Sequence, residues 1–67
     1  MGLRLSRRER EIVGALCMGE TLTELAARLC ISRRTAESHV RNAKVKLGAR
    51  TIPQCCYEYV TRYKSEI

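Results

Sequence analysis

The stretch from Ser32 to Gly48, SRRTAESHVRNAKVKLG, constrains this chain more than any other. Ser32 offers its hydroxyl to the unpaired N–H groups of a first helical turn, and Gly48 adopts the left-handed conformation that closes a helix at least cost. The stretch therefore predicts one helix over about residues 33–47, roughly 22 Å long at about 1.5 Å per residue. Stepped at about 100° per residue, Ala36, Val40, Ala43 and Leu47 fall in one narrow stripe, while Arg34, Glu37, Ser38, Arg41 and Lys44 gather opposite. Two alanines in the stripe let the helix sit close to its support. The other side mixes cations with a carboxylate and a hydroxyl, which is the chemistry of a probe for the groove of DNA.

The sequence before this stretch supplies its scaffold. Ser6-Arg7-Arg8-Glu9 is a capping box that opens a helix with apolar Ile12, Val13, Ala15 and Leu16, predicted over about residues 7–18 and stopped at Gly19. Thr21-Leu22-Thr23-Glu24 is a second capping box, opening a helix over about residues 22–29 whose Leu22, Leu25, Ala26 and Leu29 face inward. Cys30-Ile31-Ser32 then leads straight into the long helix, with Ile31 as the apolar plug of the turn. Two helices joined by so short a turn, the second with a polar outer face, form a helix-turn-helix. A last helix, over about residues 52–64, carries Pro53 in its first turn, where proline costs nothing. Its apolar stripe of Ile52, Cys55, Cys56, Tyr59, Val60 and Tyr63 is broader than packing on one neighbour requires. Either part of it belongs to a partner or all of it closes the core. The expected architecture is all-α, four helices in one domain over residues 1–67, with no strand pattern and no repeat.

Composition narrows the function. Thirteen Lys and Arg against seven Asp and Glu give +6, with a pI near 9.6. That balance favours an anionic partner such as nucleic acid over a neutral small molecule. Sixty-seven residues sit near the lower size for a self-sufficient core, so buried area added by dimerisation is plausible. No apolar run approaches the roughly eighteen residues of a membrane span, and no signal-peptide core follows the basic start, so the expectation is a cytoplasmic protein without membrane contact. Met1 to Ser6 satisfy a loose myristoylation pattern, but Ser6 is better explained as a helix cap. Cys17, Cys30, Cys55 and Cys56 contain no C-x-x-C pair and, with the single His39, give no zinc spacing. They read as reduced, small apolar residues of a reducing compartment, and neither a metal nor another cofactor is expected. A Cys–His dyad would need an orienting third group and a pocket, so an enzyme is not expected.

The residues then resemble a family. Leu5-Ser6-x-Arg8-Glu9-Arg10-Glu11, Gly19-x-Thr21, Glu24-Leu25-Ala26-x-x-Leu29, Ile31-Ser32-x-x-Thr35, His39-Val40-x-Asn42 and Lys46-Leu47-Gly48-Ala49 are similar to the LuxR/FixJ/GerE class of bacterial helix-turn-helix regulators. The likeness covers nearly the whole chain. Sigma-factor region 4 shares the earlier elements, but its recognition helix usually lacks His-x-x-Asn followed by Lys-Leu-Gly. The resemblance implies a four-helix domain that binds double-stranded DNA as a homodimer, the third helix in the major groove and the fourth at the dimer contact. It also implies a transcription regulator acting at the nucleoid, with RNA polymerase or another LuxR-type regulator as possible protein partners. In the family such a domain usually follows a receiver or ligand-binding domain, and a few members stand alone.

Carried onto this chain, the resemblance places Glu37, Ser38 and Arg41 at base-facing positions, where Arg41 would hold guanine O6 and N7. Thr21, Arg33, Arg34, Thr35, His39 and Lys44 are the candidate phosphate contacts. Asn42 either braces the helix or reaches a phosphate. Cys55, Cys56, Tyr59, Val60 and Tyr63 are the candidate dimer surface. The chain departs from the family at Ala36 and Ala43, where larger aliphatics are usual, at Ile52-Pro53, and at Glu37, where Lys or Asn is frequent. A carboxylate there would repel phosphates and accept from cytosine N4. It keeps a second function open, a protein-interaction module that pairs with another such regulator, with DNA binding lost or auxiliary.

Overall fold

The computed structural model describes the backbone of residues 4–64 and the side chains of residues 4–62. Four α-helices follow in order, α1 (Arg7–Cys17), α2 (Leu22–Leu29), α3 (Arg33–Leu47) and α4 (Ile52–Tyr59), and the chain continues from α4 as a π-helical turn, Val60–Lys64. There is no strand among the described residues.

Each helix starts on a hydroxyl side chain. Ser6, Thr21, Ser32 and Thr51 accept from the backbone N–H three residues on, and Glu9 and Glu24 complete capping boxes by accepting from Ser6 and Thr21 N–H. Proline lies in the first turn of α4. The first three helices also end alike. The paired bonds Glu20 N–H to Ala15 O and Gly19 N–H to Leu16 O, Ile31 N–H to Ala26 O and Cys30 N–H to Ala27 O, and Ala49 N–H to Lys44 O and Gly48 N–H to Val45 O form three Schellman closures. Their left-handed residues are Gly19, Cys30 and Gly48, with φ of 96°, 60° and 69°. Cys30 is the one that carries a Cβ into that conformation.

The core has two parts, and α3 runs through both. Ala36 and Val40, in its first half, pack with Ile12 of α1 and Leu25 and Ala26 of α2, flanked by Leu16, Leu22, Leu29 and Ile31. Ala43 and Leu47, in its second half, pack with Leu5, Val13, Cys55 and Tyr59. Ile12 and Val13 thus send neighbouring side chains into different halves. Both alanines of α3 are fully buried, so the helix is seated on its scaffold along its whole length. Across the α1–α3 seam, the buried Glu9 carboxylate accepts from Lys46 Nζ at 2.9 Å and from Ser6 N–H at 2.7 Å. Burial alone would raise the Glu9 pKa, but these donors and the Lys46 charge outweigh it and hold the carboxyl below its usual value.

Candidate nucleic-acid interface

With Ala36, Val40, Ala43 and Leu47 buried, the opposite side of α3 is open to solvent. Arg34, Glu37, Ser38, Arg41 and Asn42 are exposed, and so is Val45, at 72%. Val45 has no role among the sequence-based expectations. It stands seven residues from Ser38, two helical turns along the same side.

One flank of this surface opens into a groove of about 240 Å³, lined by Glu37, Val40, Arg41 and Lys44 of α3, Leu22 of α2 and Ile52 of α4. Leu22 and Ile52 are the first residues of their helices. The N-termini of α2 and α4, each the positive end of a helix dipole, therefore border the groove that Arg41 and Lys44 line. Arg41 and Lys44 outnumber Glu37, the one carboxylate of the lining, so the groove is net positive. The α4 start was missed as part of the site in the sequence. Its signal was Thr51, a cap of the same kind as Thr21.

The predicted contact residues fall into distinct environments. Thr21 is exposed, and its hydroxyl caps α2. Thr35 is exposed, but its N–H donates to Ser32 Oγ at 3.0 Å and its hydroxyl accepts from Ser32 at 2.9 Å, so it is also part of the cap. His39 is half-buried on the flank away from Glu37 and Arg41. Lys44 is half-buried along the groove. Arg33, grouped by sequence with the phosphate contacts, points its Nε at Glu37 Oε2, 3.2 Å away.

On α4 the broad apolar stripe divides. Cys55 and Tyr59, at 2% and 9% exposure, belong to the core of this chain and are not available to a partner. Burial, with Cys56 adding to it and Lys44 opposing it, pushes the Cys55 thiol pKa up. Cys56 is half-buried and Val60 46% exposed, beside Tyr57 at 67%, which the sequence did not single out. Val60 follows Cys56 by four residues and Tyr57 by three, so the three lie on one outward patch. The Tyr63 side chain lies outside the described residues. The predicted stripe thus straddled the boundary between core and surface, and only its outer edge remains open.

Among the described residues, no helix is long and apolar enough to cross a membrane, and no group of three or more His, Cys, Asp or Glu is placed to hold a metal ion.

The chain is similar to known proteins in sequence and in fold. The chain is 35% identical over 63 residues to the spore germination protein GerE of Bacillus subtilis (strain 168), an overlap covering 94% of this chain and 85% of that protein. It is 48% identical over 44 residues to the probable transcriptional regulatory protein SgaR of Hyphomicrobium methylovorum, spanning 66% of this chain but 21% of that protein. Its fold superposes on VqmA of Vibrio cholera, from the crystal structure of a VqmA–ligand–DNA complex, with a TM-score of 0.83 and 27% identity, over 92% of this chain and 27% of that one. Residues 3–57 match the family of bacterial regulatory proteins called the luxR family, and with that match over most of its length the chain belongs to this family.

Proposed function

We propose that this chain is a single helix-turn-helix domain that binds double-stranded DNA in a sequence-dependent way, as the reading part of a bacterial transcription regulator. The observation that carries this is the convergence of Arg41, Lys44 and the N-termini of α2 and α4 around one open groove beside the exposed side of α3. An α-helix fits the major groove, and α3 is the helix whose outer side is free along its length. Glu37, Ser38 and Arg41 then meet base edges, and Arg41 donates to guanine O6 and N7. Arg34, Lys44, His39, Thr35 and the amide end of α2 at Thr21 meet phosphates and fix the register. A homodimer formed through the outward patch of Cys56 and Tyr57 on α4 and Val60 just after it would place two such helices about 10 base pairs apart. The setting is the cytoplasm, at the nucleoid, with RNA polymerase or a second LuxR-type regulator as the protein partner.

The test is selection of bound sequences from a random duplex pool, followed by affinity measurements at several salt concentrations. A motif with two-fold symmetry is expected, with log K falling by about 0.9 per neutralised phosphate against log salt. Arg41→Ala is expected to cost roughly 1–3 kcal/mol on the selected duplex and little on a scrambled one. If no duplex is bound at low salt while the chain associates through α4 with another regulator, the interaction-module function replaces this one.

A further inference from the structure

Arg33 and Glu37 form an ion pair one helical turn apart, Nε to Oε2 3.2 Å, with Glu37 on the wall of the groove. Stability does not account for it. Both side chains are largely in solvent, 63% and 49% exposed, and exposed pairs contribute little to folding. The order is also the weaker one for a helix, cation before acid, and a guanidinium at the first residue of α3 opposes the positive end of the helix dipole.

The pair makes sense against a duplex. A bare carboxylate on this surface would repel phosphates. Arg33 at 3.2 Å compensates that charge and leaves an acceptor-only group in place. In the major groove cytosine presents an amino donor, N4, whereas thymine presents an acceptor and a methyl group, guanine two acceptors, and adenine a donor beside an acceptor. An acceptor-only group is best satisfied by cytosine.

Resting on the DNA-binding function above, we propose that the Arg33–Glu37 pair is a cytosine-reading element. Glu37 accepts from cytosine N4, and Arg33 is the positioning residue that holds and neutralises the carboxylate rather than a phosphate clamp. Arg41 follows Glu37 by four residues, about 6 Å along the helix axis, which is about two base steps at about 3.4 Å per step. The half-site therefore contains a C·G pair read by Glu37 and, about two steps away, a guanine read by Arg41.

The test uses the whole chain, with folding of each variant checked by circular dichroism, and pairs the selected duplex with one carrying thymine in place of the cytosine. The unaltered chain is expected to prefer cytosine by roughly 5- to 150-fold. Glu37→Ala should lose that preference while keeping the guanine preference two steps away. Arg33→Ala should lower the preference several-fold when Glu37 is present and leave it unchanged in the Glu37→Ala background, and Arg33→Lys should restore most of it. The proposal is overturned if Glu37→Ala still prefers cytosine. It is equally overturned if Arg33→Ala weakens both duplexes by the same factor and lowers the salt slope by about one, the signature of a phosphate contact. Should the unaltered chain bind no duplex, or all duplexes alike, the DNA-reading function itself fails and this assignment falls with it.

Discussion

Replacing Lys46 by Met and Glu9 by Gln separates the two halves of the ion pair that ties α1 to α3, and the two changes are expected to differ in cost. The Glu9 side chain is 5% exposed and Lys46 26%. Lys46→Met strands a carboxylate in the seam. Removing one partner of a buried pair costs about 3–5 kcal/mol, and the Ser6 N–H that still donates to Glu9 reduces this to about 2–3. Glu9→Gln keeps an acceptor for Ser6 and frees an ammonium that reaches water by a small rotation, so it should cost about 1 kcal/mol. Stability of about 0.05–0.15 kcal/mol per residue puts the whole chain at roughly 3–10 kcal/mol, so the first change is severe and the second tolerable. With a urea slope of about 1 kcal/mol per molar, the unfolding midpoint followed by circular dichroism should fall by about 2–3 M and 1 M respectively. The pH dependence follows from the depressed Glu9 pKa. Its stabilisation is fully present above the unfolded value, near 4.5, and is lost as pH falls through the lower folded value. The gap between the unaltered chain and Lys46→Met should therefore narrow as pH falls through the Glu9 pKa of the variant, which Lys46 no longer lowers, and close once Glu9 is protonated in both. Equal costs for the two variants at pH 7, or a gap that persists in acid, would refute the buried-pair account.

Three further outcomes follow from the packing. In Gly14→Ala the new Cβ would meet the Tyr59 hydroxyl at 3.4 Å, an ordinary contact, so the gain in helix propensity of up to about 1 kcal/mol should survive and raise the thermal midpoint by a few degrees; a lower midpoint would show that α1 and α4 pack more tightly there. Cys30→Gly should stabilise by about 0.5–1 kcal/mol, because the residue occupies the left-handed position that glycine fills in the other two closures, and an unchanged urea midpoint would show that the Cβ costs nothing. Tyr57→Glu and Val60→Glu should leave the helical signal intact and reduce cooperative binding to an inverted repeat in gel shifts, whereas Tyr59→Glu should unfold the chain. A folded Tyr59→Glu variant, or a Tyr57→Glu variant with undiminished cooperativity, would contradict the division of α4 into inner and outer edges.

The buried stripe of α3 holds the candidate site against the rest of the fold. That stripe is anchored at one end by α2 and at the other by α4, with α1 behind both. Of the groove-lining residues on the other helices, Leu22 packs against the α1–α2–α3 part of the core, and Ile52 follows the Thr51 cap that opens α4. A probe mounted in this way presents its outer residues in a fixed frame, which direct readout of base edges requires.

The sequence by itself determined the helices and their sides, because those are local matters. A hydroxyl followed three residues later by a free N–H, a glycine at φ > 0 and a period near 3.6 act within one or two turns and leave their pattern in the residues. The family could be read for the same reason, its motifs being caps, closures and core positions in fixed order. The tertiary structure decided everything that depends on two elements meeting. It brought Leu22 and Ile52, 30 residues apart, to the same groove, and it turned Cys55 and Tyr59 inward while leaving Tyr57 out. Periodicity gives the direction of a side chain about its own helix axis, but not how much of that direction a neighbouring helix covers. On a stripe as wide as that of α4, only the placement of α1 and α3 against it draws the line between core and surface.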